Sequence, residues 1–244
     1  MSAPEPRQAA SLRSAERFAR RLGQSRRLSW QLRVKRVLDI LGSLLLLLLL
    51  APVILAAAVL VRATSPGPAF YLDLRRGWQG RAFTCFKLRS MRQNGDAILA
   101  RQGLSNLGEE GRLLIFKDDP RITPVGRIMR KLSIDELPQL LNVLRGDMSL
   151  IGPRPLTVSM LTGYDAIDAA RSVVRPGLTG LWQVRNRMKN ASVLDMVRDD
   201  MAYLDGFGLL LDLRIACLTV PRMIEPSPRA DSDDGLTPAA EQRS

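Results

Sequence analysis

From Ile40 to Val61 the chain carries 22 consecutive uncharged residues, including seven leucines in a row from Leu44 to Leu50. An apolar helix of that length, at about 1.5 Å per residue, reaches ~33 Å and matches a hydrocarbon layer of ~30 Å, so the pattern predicts membrane association. The run is too long and starts too far along for a cleavable signal peptide, and no small-residue cleavage site follows it. Pro52 falls a little past its middle, removes one backbone hydrogen bond and predicts a kink at Ala51-Pro52. Two topologies fit: a spanning helix with a proline kink, or a helix-break-helix that enters and leaves by one face.

Beyond this run the pattern changes. Ser65-Pro66-Gly67-Pro68 stops any helix, and Ala69 to Lys87 predicts a β-hairpin. Phe70, Leu72 and Leu74 alternate with polar residues, Gly77-Trp78-Gln79-Gly80 supplies the turn, and Phe83 to Phe86 forms the returning strand. The polar stretch from Arg92 to Gly111 predicts a mobile surface element. It is followed by the apolar run Leu113 to Phe116, a turn at Lys117-Asp118-Asp119-Pro120 and a basic helix around Arg127, Arg130 and Lys131. Leu137, Leu140, Leu141 and Leu144 recur at helical spacing and predict one buried helix face. Val193 to Ile224 predicts further helices broken near Gly206 and Gly208, and the Pro-, Ser- and Asp-rich tail 225–244 predicts disorder. The fold class expected is α+β, mostly helical with a small β-hairpin and a membrane-inserted N-terminal segment. The organisation expected is a basic arm over 1–34, a membrane segment over 35–62, a catalytic domain with interfacial helices over 63–224, and the tail.

Charge sharpens this picture. Lys plus Arg number 36 against 24 Asp plus Glu, a net +12, and residues 1–36 alone hold ten basic and two acidic side chains, an excess of +8. Such an arm suits nucleic acid or an anionic membrane leaflet, and the adjoining apolar run favours the membrane. Arg26, Arg27, Arg33, Lys35 and Arg36 precede the apolar segment, and Arg62, Arg75, Arg76 and Arg81 follow it. Basic residues flanking a membrane segment remain cytoplasmic, so both flanks point to one side. Histidine is absent, which excludes Ser-His-Asp triads, Cys-His nucleophiles and His-ligated zinc. Cys85 and Cys217 are far apart and show no metal-binding spacing.

The chemistry must therefore rest on carboxylates, cations or a hard metal. Ser133-Ile134-Asp135-Glu136 reads as a capping box at a helix start, or as an acidic pair placed at the positive end of a helix dipole, where Asp135 stays ionised. In Ile151-Gly152-Pro153-Arg154-Pro155 two prolines stiffen the backbone around one arginine, a rigid turn or a preorganised anion clamp. Arg175-Pro176-Gly177-Leu178-Thr179-Gly180 is a second stiff basic turn, and Lys87 and Arg89 sit in Phe86-Lys87-Leu88-Arg89-Ser90-Met91. Basic turns around one acidic pair beside a membrane segment suggest a phosphorylated lipid and a phosphorylated soluble substrate.

These segments, with Lys35-Arg36-Val37-Leu38-Asp39 and Gly146-Asp147-Met148-Ser149, closely resemble the bacterial sugar transferases, the monotopic phosphoglycosyl transferases. The resemblance runs in order over residues 34–224. It implies a nucleotide diphosphate sugar, usually a UDP-sugar, as donor and polyprenyl phosphate, usually undecaprenyl phosphate, as acceptor. The site would lie at the cytoplasmic face of the bacterial inner membrane. It implies Asp135 as nucleophile, Mg2+ held by Asp135 with Glu136, and phosphate contacts from Lys87, Arg130 and Arg154, with Arg89 and Arg175 as further basic candidates. It also implies a re-entrant membrane helix. Many relatives carry Ser-Pro at the break, whereas Ala51-Pro52 stands here. A membrane-tethered nucleic-acid-binding protein would explain the arm but lacks a recognition motif, and aromatics make up only 5%. A non-catalytic membrane scaffold would leave the acidic pair unexplained.

Overall fold

The structure, a computed structural model, describes residues 6–101, 119–186 and 193–224. Helix α1 (Pro6–Gln24) is followed by α2 (Arg26–Thr64), separated by Ser25, whose extended backbone and side chain cap the second helix by accepting from the Leu28 N–H at 3.3 Å. The boundary expected between arm and membrane segment at residues 34 and 35 thus lies inside one helix. Pro52 does not break that helix either, because all 39 residues of α2 keep helical backbone. Proline costs one hydrogen bond but its φ is already helical, so the surrounding turns carry it through. Along α2 burial is confined to the two ends: Leu28, Lys35, Asp39 and Ser43 before the leucine run, then Ile54, Ala57 and Val61 after it. Between them Leu44, Leu45, Leu48 and Leu49 are exposed.

The helix ends where expected, and the hairpin follows. Strands β1 (Phe70–Arg76) and β2 (Ala82–Leu88) pair antiparallel from Phe70 opposite Leu88 to Arg76 opposite Ala82, and Trp78–Gly80 forms a 3-10 turn. Gln79 takes a left-handed φ of 56° there, and its N–H donates to the Ser172 carbonyl, which anchors the turn. Within the stretch expected to be mobile, Gly95–Arg101 forms helix α3. The rest of that stretch from residue 102, the segment 113–116, Lys117 and Asp118 of the turn, and the tail lie outside the described residues.

Helix α4 (Pro124–Lys131) matches the basic helix, with Thr123 accepting from the Gly126 N–H at 2.9 Å. The next segment corrects an expectation. A 3-10 helix over Ile134–Gln139, with Pro138 inside it, precedes α5 (Leu140–Arg145), so the four leucines do not share one buried face. Leu140 is fully buried while Leu141 is 43% exposed, because the tighter 3-10 winding shifts the register before the α-helix begins. Asn142 and Val143 are buried instead, and Asn142 caps the free edge of β2 by accepting from Phe86 N–H and donating to the Thr84 carbonyl.

Two three-residue strands, β3 (Ser149–Ile151) and β4 (Gly177–Thr179), pair in parallel. Around them stand α6 (Asp165–Arg171), α7 (Leu181–Asn186), α8 (Val193–Asp205) and α9 (Leu209–Ile224), the last two separated at the expected glycines. The largest core gathers Phe18 of α1, Ile167, Trp182, Val197, Tyr203, Leu204 and Ile215. A smaller core joins Ala57 and Val61 of α2 to Leu88 and Met129, and a third joins Phe83, Cys85, Val143 and Met148.

Candidate active site

Three elements meet at the acidic pair. Ser133 ends the turn after α4 in the left-handed region at φ 55°, and its side chain makes no capping hydrogen bond at the helix that follows. The capping-box geometry is therefore absent, and the strained backbone instead turns Ile134-Asp135-Glu136 sharply away from α4. Asp135 is 8% exposed. Lys87, on the inward face of β2 with Cys85, places Nζ 3.2 Å from Oε1 of Glu136, and Arg154 places Nη2 3.6 Å from the same oxygen. Arg130, from the last turn of α4, donates through Nε to Ser90 Oγ at 2.9 Å and acts electrostatically on Asp135.

The two carboxylates sit in opposite electrical surroundings. Burial drives the Glu136 carboxyl upward, but Lys87 and Arg154, with the Lys87 hydrogen bond and the charge of Arg75, outweigh it and hold it at about 2. Burial raises the Asp135 carboxyl, and Glu136 adds to the rise against Lys87 and Arg130. The expected helix dipole is corrected: Asp135 lies in a short 3-10 turn that supplies little dipole, and desolvation raises its carboxyl. Cys85 has its thiol pushed up by burial and is no nucleophile.

Lys87, Arg130 and Arg154 converge on Asp135 and Glu136; two other candidates do not. Arg89 is 6% exposed and spends its guanidinium on the carbonyls of Ser65, Pro66 and Pro68 at 2.9, 2.6 and 2.7 Å, stapling the exit of α2 to the end of β2. Arg175 donates to the Gly146 carbonyl at 2.8 Å and stacks 4.1 Å over the Trp78 ring. The two proline-rich basic turns are packed backbone to backbone. A Cβ on Gly177 would stand 2.1 Å from the Gly152 nitrogen, and one on Gly180 would stand 2.0 Å from the Gly152 carbonyl oxygen.

Asn142, Ser90 and Arg75 were not among the residues the sequence singled out for the site. Asn142 alone carried a signal, a polar residue in an apolar helical pattern. Among the described residues no cluster of three or more His, Cys, Asp or Glu could enclose a metal. The adjacent carboxylates of Asp135 and Glu136 are a hard-oxygen pair, and Asp135 has no ion-pair partner as close as those of Glu136. This donor set fits a cation that takes one or two carboxylates and completes its shell with phosphate and water, as magnesium does.

The segment Lys35 to Asp39 fixes the membrane helix to this site. Arg36 donates to the Val143 and Leu144 carbonyls at 2.6 and 2.9 Å, capping α5. Asp39 accepts from Ser149 Oγ and the Leu150 N–H, and Lys35 pairs with Asp212 of α9 at 2.8 Å.

Comparison with known proteins agrees with this layout. The exopolysaccharide production protein ExoY of Sinorhizobium fredii is 43% identical over 190 residues, covering 77% of this chain and 84% of that protein. The UDP-glucose:undecaprenyl-phosphate glucose-1-phosphate transferase of Caulobacter vibrioides is 42% identical over 199 residues, 78% of this chain and 69% of that protein. The undecaprenyl-phosphate galactose phosphotransferase of Salmonella typhimurium is 41% identical over 179 residues, 71% of this chain and 36% of that protein. A profile of the bacterial sugar transferases matches residues 30–226, which include every residue of the site, and the chain belongs to that family.

Proposed function

We propose that the protein transfers a phosphosugar from a nucleotide diphosphate sugar, a UDP-sugar, to undecaprenyl phosphate and releases the nucleoside monophosphate. This is the step that begins exopolysaccharide, O-antigen or glycoprotein glycan assembly. The observation that carries it is the buried Asp135 beside Glu136 with Lys87, Arg130 and Arg154 around them, in a chain so similar to transferases of this chemistry. A carboxylate oxygen of Asp135 attacks the sugar-bearing phosphorus, the diphosphate bridge breaks, and the nucleoside monophosphate leaves with the bridging oxygen. An oxygen of the lipid phosphate then attacks the same phosphorus, which frees Asp135 and leaves a diphosphate linking lipid to sugar. Glu136, anchored by Lys87 and Arg154, holds those cations in place rather than attacking. Lys87, Arg130 and Arg154 offset the phosphate charge. Magnesium, held by Asp135 and Glu136, would supply further screening of that charge.

The same reading places the enzyme at the cytoplasmic face of the bacterial inner membrane, with α2 bending at Pro52 without losing its helical backbone, so that it enters and leaves by that face. Both ends of α2 pack on the catalytic unit while its leucine-rich middle is exposed, and exposed Trp30 with Arg26, Arg27 and Arg33 suits the anionic headgroup region. Nucleic acid has no place in it. Incubation with radiolabelled UDP-sugar and undecaprenyl phosphate tests the function. Labelled lipid diphosphate sugar is expected with wild type and not with Asp135→Asn, and an Asp135→Asn protein with full turnover would remove the mechanism.

A further inference from the structure

The backbone of Ile151–Leu156 is bound at nearly every peptide group. Gly152 N–H donates to the Thr179 carbonyl, and the Pro153 carbonyl accepts from Gly177 N–H. The Pro155 carbonyl accepts from Arg75 Nη1, and the Leu156 carbonyl accepts from Arg76 N–H. The carbonyl of Arg154 itself is held by a buried side chain from elsewhere in the chain. Its carbonyl accepts from Nη2 of Arg171 at the end of α6, and Arg171 is itself held through Nε by the Asp200 carboxylate of α8. Arg171 Nε and Asp200 Oδ2 are 2.6 Å apart, and the two side chains are 6% and 2% exposed.

We infer that the buried Arg171–Asp200 pair is a positioning device that grips Arg154 by its peptide carbonyl and so aims its guanidinium at the phosphate-binding side of Glu136. The inference rests on the reading of Arg154 as a phosphate contact. Neither Arg171 nor Asp200 reaches the acidic dyad among the described residues, so both act through Arg154. Two features of the geometry favour positioning over fold stability. A buried ion pair is a poor stabiliser, because desolvation consumes most of the attraction, and an apolar pair of similar volume often serves the fold as well. Prolines on both sides of Arg154 also stiffen the backbone there, so the grip falls on the one residue of this turn whose side chain reaches Glu136. The pair fixes that residue's φ and ψ and narrows the arc its guanidinium can sweep.

The test is turnover with UDP-sugar and undecaprenyl phosphate, with thermal unfolding measured alongside, for Arg171→Met/Asp200→Leu, Asp200→Asn and Arg154→Ala alone and in combination. The double apolar replacement is expected to melt near wild type and to lose roughly tenfold to a hundredfold in turnover, the range for one charge-assisted contact felt in the transition state. Arg154→Ala in the same background should add nothing, since the grip has no remaining object. Asp200→Asn, which keeps an acceptor and the volume, should give a smaller loss that also vanishes beside Arg154→Ala. Losses that multiply instead, or wild-type turnover in the folded apolar variant, would return the pair to a purely structural role. Wild-type turnover in Arg154→Ala alone is a different failure: it removes the phosphate reading of Arg154, and the inference with it.

Discussion

Adjacent residues can carry opposite charge economies, and Asp135 with Glu136 is such a case. Glu136 lies far below its ordinary 4.5, at about 2, so its pairing with Lys87 and Arg154 is fully formed above about pH 4.5 and is lost only as pH falls toward 2. Asp135 is raised, so the folded state binds its proton more tightly than the unfolded chain. Its ionisation therefore costs stability as pH rises from the ordinary value of 3.8 through the elevated one, and that cost persists at neutral pH. Asp135→Asn is thus expected to melt above wild type at neutral pH in excess chelator, while releasing no nucleoside monophosphate; a lower melting temperature would contradict the electrostatic reading. Arg89 gives a contrasting prediction. Lysine cannot reproduce a fork that reaches three carbonyls, so Arg89→Lys should lose about 1.5 to 3 kcal/mol of stability with the donor KM unchanged. A raised KM at unchanged stability would return Arg89 to the substrate. The sequence displays Lys87, Arg89, Arg130, Arg154 and Arg175 as equivalent charges, because nothing local records which carbonyls or rings a guanidinium meets after the chain folds. The prolines beside Arg154 were the local signal that did carry over.

At the scale of elements, strong periodicity was legible and short or rewound segments were not. The hairpin was readable because alternation over seven-residue strands and a Gly-bounded turn state the same register twice. Strands β3 and β4, three residues each, are too short to show any period and form only because the Gly152–Gly180 contacts bring two distant turns together. The leucines from 137 to 144 misled because spacing assumes one helical pitch, and the 3-10 turn carrying the dyad changes pitch midway. Helix α2 was legible in its apolar run and its end at Ser65, but not in its start at Arg26, its continuity through Pro52 or its tertiary anchors, which come from Arg36 and Asp39 at one end and Val61 at the other. Those anchors lead to a topological expectation. If both ends of α2 stay with the catalytic unit, reporters fused before α1 and after α9 should both report the cytoplasm. A periplasmic signal from either would establish a spanning helix.

For the whole molecule, the question is what α1 adds to the family region, which begins at residue 30. The +8 of residues 1–36 suggested a basic arm suited to an anionic surface, yet α1 packs on the domain through Ser14, Ala15 and Phe18, leaving Arg13 and Arg20 outward. Its seat is specific: Phe18 is 1% exposed and meets Phe207 edge-to-face at 5.3 Å, while Arg17 pairs with Asp205 at 3.0 Å and Arg21 donates to the Asp205 carbonyl. Charge counting along the sequence hid this, because a narrow strip of small and apolar residues is enough to dock a helix that carries five arginines elsewhere. The ion pair is half exposed and contributes little, so the energy of docking rests on the burial of Phe18 against Phe207 and on the packing of α1 along α6 and α8. Phe18→Ala should therefore cost about 3 to 5 kcal/mol in denaturant unfolding, a large part of the ~5 to 15 kcal/mol that separates a folded domain from its unfolded chain. Turnover measured well below the melting temperature should stay at the wild-type level, because among the described residues no hydrogen bond or ion pair links α1 to Lys87, Asp135 or Glu136. A loss below about 1 kcal/mol would mean that α1 does not pack into the core, since no buried phenylalanine is truncated so cheaply.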